Sequence, residues 1–175
     1  MSSKLVFRIL SLFLTLLIVF AANLFSSVSL PWLGVTTLKF HFHLLVILFF
    51  LFYIKDDYIS LYILIIEIVN SLFTSQGWEI GTLSGIMLVA ISYIFKDLIQ
   101  LSNVISTALY SFFFLTLRYF IFGFIYYTKI HSLDFLWSGL WYNILENIFL
   151  SILSPFVFVI LRFIWKENKS ESFSY

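Results

Sequence analysis

The chain has 175 residues, 62% of them hydrophobic and 11% charged, with a net charge of +1 and no cysteine. A water-facing surface needs roughly a quarter of its residues charged, so this composition excludes an ordinary soluble domain. The near-zero charge offers no basic field for nucleic acid, and the missing cysteine removes disulfides, thiol nucleophiles and thiolate metal sites.

In a bilayer every backbone polar group must be satisfied internally, which leaves helices or closed barrels. Runs such as LLVILFFLFYI at 44–54 are apolar on every face rather than alternating, so helices are predicted. The first span is predicted over 5–24, with Lys4 before it and Arg8 near its start. Its apolar stretch exceeds the ~7–15 residues of a signal-peptide core, and FAANLFSS is a poor small-residue cleavage site, so it is expected to stay as a span. SSVSLPWLGVTTLKF, with its serines, Pro31 and Gly34, predicts an extramembrane or interfacial loop anchored by Trp32. The second span, 40–54, is short and ends at Lys55, Asp56 and Asp57. The third (58–74) and fourth (80–95) flank the polar turn SQGWE, each near the low end of the ~17–25 residues a span needs. After KDLIQLSN come the fifth span, 104–127, the turn TKIHSLD and the sixth span, 136–164. The expected architecture is an all-α polytopic membrane protein of about six transmembrane helices, with five as the alternative count. It forms one domain over 1–165, followed by a polar cytoplasmic tail over 166–175.

Short cytoplasmic loops retain lysine and arginine. With six spans, Lys4, Arg8, Lys55, Lys96, Arg162, Lys166 and Lys169 fall on one side, and Lys39 and Lys129 on the other. Both termini are therefore expected in the cytoplasm.

Ionisable residues inside spans are functional candidates, because a free charge in hydrocarbon costs at least ~2.5–3.5 kcal/mol. They are Glu67, Arg118 and Glu146. Glu67, Asn70, Ser71 and Thr74 share one helical face, which must point into the bundle. Asn143, Glu146, Asn147, Ser151 and Ser154 make a longer stripe that ends at Pro155, where a kink is expected; Thr107, Ser111 and Arg118 make a thinner one. These stripes read as hydrogen-bonding glue between helices, as the lining of a polar cavity, or as a groove for a partner. Arg118 and Glu146 fall in the outer half of adjacent antiparallel spans, whereas Glu67 lies nearer the midplane. Arg118 is therefore expected to pair with Glu146. GTLSG, Gly81 to Gly85, is a G-x-x-x-G that lets a helix approach closely, within the chain or between copies.

Catalysis is not expected. His41 and His43 are joined by no cluster at metal-ligand spacing, His131 lies in a loop beside Asp134, and Asp56 and Asp57 read as a solvated helix boundary. No nucleophile elbow or phosphate-cradling loop is present, and no cofactor is implied.

Over nearly its full length the chain resembles the rod-shape-determining inner-membrane proteins of bacteria, the MreD family. The likeness rests on NSLFTSQGWEIG and on FLWSGLWYNILENIFLSILSPFVFVILRFIWK. In the first, Asn70 stands where the family tends to have Asp, with the acid one turn back at Glu67; Thr74 and Ser75 stand for its turn, and Gly77 or Gly81 for its later glycine. The resemblance implies a non-enzymatic scaffold of the cell-elongation machinery. Its expected partners are membrane lipid, an MreC-like periplasmic protein, and the cytoskeletal and peptidoglycan-synthase components. It also implies a helix arrangement like the substrate-binding component of energy-coupling-factor transporters, which supplies the alternative function, a vitamin or small-solute binding component.

Overall fold

The structure, a computed structural model, describes residues 3–32, 41–54, 58–73, 78–94, 103–131 and 134–165. Thr74, the interhelix loops holding Lys39, Lys55 and Lys96, and the tail over 166–175 lie outside the described residues. Those residues form six helices and no strand: α1 Ser3–Trp32, α2 His43–Tyr53, α3 Ile59–Ser71, α4 Trp78–Ile94, α5 Val104–Ile130 and α6 Asp134–Ile164. The segments Leu5–Ser26, Val104–Thr128 and Gly139–Ile164 are long and apolar enough to cross a membrane. The other three helices have 11, 13 and 17 residues. At about 1.5 Å per residue they reach roughly 16, 20 and 26 Å, short of a ~30 Å hydrocarbon core.

Side-chain contacts fix the helix directions. Ser11 near the start of α1 bonds the carbonyl of Ile164 at the end of α6, while Asn23, three turns further on, bonds Asn70 near the end of α3. Gly81 at the start of α4 lies against Glu67 in the second half of α3. Odd-numbered helices therefore run one way and even-numbered ones the other.

The shortest helix occupies the middle. Every residue from His43 to Phe50 of α2 is buried, and α2 touches all five other helices. Its sequence explains this: a helix apolar on every face has no preferred side to turn to a boundary, so it packs best when surrounded. Its far end is set in aromatic rings. Phe49 lies 5.9 Å from Phe158 of α6, Phe50 5.1 Å from Trp165, and Phe52 5.5 Å from Phe114 of α5. Arg162 sits 5.0 Å above the Tyr53 ring, a cation–π contact that places its charge at the end of the bundle. The outward face is apolar instead: Phe163 is 82% exposed, and Ile105, Phe156 and Phe13 are exposed too. With three helices of spanning length, such a surface identifies a membrane protein, since lipid asks nothing polar of it.

One expectation about a helix end is corrected. The stretch from Ser26 to Trp32 is helical rather than a loop. Serine and valine only weaken a helix, and Pro31 leaves a single carbonyl, that of Ser27, without its donor in a helix of 30 residues. Near the other end of the chain α6 continues as helix through Pro155. Proline there deprives the Ser151 carbonyl, four residues back, of its donor. The Ser154 hydroxyl supplies the replacement, donating to that oxygen at 2.8 Å.

Candidate functional site

The polar residues gather at the end of the bundle where α2 and α4 begin and α3 finishes. Glu67 is 3% exposed, and Arg118 Nη2 donates to its Oε1 at 2.6 Å. The pairing expected from depth, Arg118 with Glu146, is not the one formed. Helices α3 and α5 are not backbone neighbours, but the long guanidinium stem crosses between them. Glu146 is instead held by a residue that depth reasoning did not consider. The backbone N–H of His41, just before α2, donates to Glu146 Oε1 at 2.8 Å, and the ring Nδ1 lies 2.7 Å from the same oxygen. A carboxylate there also faces the N-terminal end of α2, whose amides are unpaired by the helix itself.

His43 completes the group. Its Nε2 lies 3.8 Å from Glu67 Oε1, and its ring centroid is 5.7 Å from that of His41. On α6, Asn147 donates to Asn143 at 2.9 Å and to Thr116 of α5 at 3.4 Å. On α3, Asn70 accepts from Asn23 of α1 at 3.3 Å. Each polar bond of this kind in a membrane bundle is worth ~0.6–2 kcal/mol, and the charged ones more because a stranded partner is so costly. Ser111, buried on α5, has no hydrogen-bond partner among the described residues.

Two glycines allow the approach of α4 to α3. A Cβ at Gly81 would run into the Glu67 carboxylate, and one at Gly85 would stand 2.7 Å from Ile63 Cγ2. The G-x-x-x-G face is therefore turned inward, toward the helix that carries the buried acid.

Between these walls lies a cavity of about 80 Å³, bordered by His41, His43, Glu67, Asn70, Arg118, Asn143 and Asn147, with Leu44, Leu115 and Phe122 as its apolar side. It is a dead end, since beyond it the interior is filled by Phe49, Phe50, Phe114 and Phe158. Of the residues singled out from sequence, Glu67, Asn70, Arg118, Asn143 and Asn147 border it, while Glu146 stands behind His41.

The two histidines were visible in the sequence as the last polar side chains before an otherwise apolar run, but weighing them only as metal ligands hides their use as partners for acids. A second signal was also present. Ser11, Thr15, Asn23 and Ser26 recur at helical spacing on α1, and all are buried. Of these, Thr15 accepts from the Trp165 indole at 2.9 Å.

Comparison with family models, characterised proteins and solved structures finds no match for this chain.

Proposed function

We propose that this protein is a non-enzymatic membrane scaffold of the bacterial cell-elongation machinery. Its six helices cross the inner membrane with both termini in the cytoplasm, arranged like the substrate-binding component of an energy-coupling-factor transporter. It pairs with a single-span MreC-like protein and so links the cytoskeletal and peptidoglycan-synthase components. The observation that carries this reading is how the buried charges are used. Glu67 is matched by Arg118 and Glu146 by His41, so the ionisable groups join α2, α3, α5 and α6 to one another. A scaffold needs such crosslinks to hold a fixed outer surface for partners. The likeness of NSLFTSQGWEIG and of the last helix to the MreD family supports the more particular assignment.

The alternative, a vitamin-binding transporter component, finds some support in the cavity but is opposed by its size. At about 80 Å³ it is well below the ~300–1,000 Å³ of pockets that enclose a drug-sized molecule. Gentle detergent purification of the tagged protein from its native membrane decides between them. Copurification of an MreC-like single-span protein supports the scaffold; ATPase subunits with a bound vitamin overturn it.

A further inference from the structure

Around α2 the other helices close a ring, in which α1 touches α3, α3 touches α4, α4 touches α5, α5 touches α6, and α6 touches α1. The two short outer helices are therefore neighbours. Together α3 and α4 make one side of the bundle, and the three helices of spanning length make the rest.

Both sides present an apolar surface, but its height differs between them. On α4 that surface runs from the exposed acid Glu79 to the exposed Tyr93, about 21 Å along the axis, and the 13 residues of α3 span about 20 Å. On α6 it runs from the exposed Trp141 to the exposed Arg162, about 32 Å, and the apolar segments of α1 and α5, with 22 and 25 residues, reach about 33 and 38 Å. Charged residues in the adjoining sequence, Asp57 before α3 and Lys96 after α4, leave little apolar chain to lengthen the short side. A tilted helix spans less height than its length, so tilting fits the long side to a ~30 Å core and takes the short side further from it. Amphipathic rings mark the low edges: Tyr58 and Tyr93 are exposed at the aromatic end, and Trp78 beside Glu79 at the polar end. Rings of this kind sit at headgroup level.

The buried ion pair locates part of the step. Glu67 meets both Arg118 and Gly81, so these residues share a level in the bundle. From that level the exposed charge of Glu79 is only about 3 Å further along α4, whereas on α5 Tyr127 stands about 14 Å beyond Arg118. The polar end is lower on the α4 side.

We propose that the α3–α4 face binds lipid whose hydrocarbon layer is thinned to about 21 Å, some 9 Å less than an ordinary core, while the bilayer keeps its full thickness along α1, α5 and α6. The occupant of this face is thus a phospholipid shell that favours short acyl chains. This takes α3 and α4 as crossing helices, as in the proposed function, and needs nothing of the elongation complex.

The chain has no cysteine, so single cysteines at Met87 and Ile152, exposed near the middle of α4 and of α6, each carry one nitroxide label. With the full chain in dioleoyl phosphatidylcholine vesicles, electron paramagnetic resonance reads label depth from relative accessibility to oxygen and to a water-soluble nickel chelate. Met87→Cys is expected at about 10 Å and Ile152→Cys at about 15 Å, half of each local thickness. In dimyristoleoyl phosphatidylcholine, whose shorter chains already fit the low side, the two depths are expected to converge. Should Met87→Cys fail to fold, Ile86→Cys at the adjoining exposed position reads the same depth. A third label, Glu79→Cys, is expected to be reached by nickel. Equal depths at 87 and 152 in the dioleoyl lipid, with Glu79→Cys reached by nickel, overturn the thinning and leave the crossing intact. A deep Glu79→Cys label shows that α4 ends inside the membrane and overturns the crossing itself. An α4 label shielded from both reagents and broadened by a neighbouring spin shows a second copy on the face and overturns the lipid assignment.

Discussion

A carboxylate buried as deeply as Glu67 has to be matched where it stands, and the match comes from a helix whose backbone is not a neighbour of its own. Removing one member of a buried pair typically costs ~3–5 kcal/mol, because the other charge is left stranded. Glu67→Ala and Arg118→Ala are each expected to lower thermal stability in detergent by that order, and the double variant by clearly less than their sum. The same cycle between Arg118 and Glu146 is expected to show a much smaller coupling, since Glu146 is engaged by His41. Glycine at 81 is part of the same device. Alanine there improves helix propensity by ~1 kcal/mol yet meets the Glu67 carboxylate, and overpacking of that kind costs ~1–3 kcal/mol. Gly81→Ala is therefore expected to melt at a lower temperature than the wild type, and an unchanged or raised melting temperature would show that α4 does not press on Glu67.

Among the elements, α2 carries the interior. Truncating a buried phenylalanine costs ~3–5 kcal/mol, so Phe50→Ala in α2 is expected to destabilise strongly, whereas Phe163→Ala, on the exposed face of α6, should leave unfolding nearly unchanged. Comparable losses in the two variants would place α2 at the periphery. How much of this was legible beforehand differs from element to element. The inward face of α3 follows from the spacing of Glu67 and Asn70, because a three-residue step on a helix and the cost of charge in lipid leave one direction only. The partner of Glu67 does not follow, because the depth of a residue along its span says nothing of how far an arginine stem reaches across a bundle. The uniform apolarity of 44–54 fits a lipid-facing span as well as a surrounded helix, so the central place of α2 was not legible. The continuation of α1 to Trp32 was hidden because Pro31 in a serine-rich stretch reads as a break, whereas it removes only one helix hydrogen bond.

At the scale of the whole molecule, the described helices sort into a polar end, with the two acids, the arginine and the two histidines, and an aromatic end built around Phe50, Phe158 and Trp165. Such a division fits a bundle whose helices all run between the same two faces. With α1, α5 and α6 alone crossing, an odd number of passages puts the two termini on opposite sides and the α5–α6 turn on the side of the N-terminus. With six crossings the termini share a side and that turn lies opposite. The chain has no cysteine, so single cysteines at Ser2, Ser132 and Ser172 each report one position. The most direct test is their labelling by an impermeant thiol reagent in intact spheroplasts. Six crossings with cytoplasmic termini require Ser132→Cys to react while Ser2→Cys and Ser172→Cys stay protected until the membrane is opened. Protection of Ser2→Cys and Ser132→Cys together, with labelling of Ser172→Cys, would contradict the account.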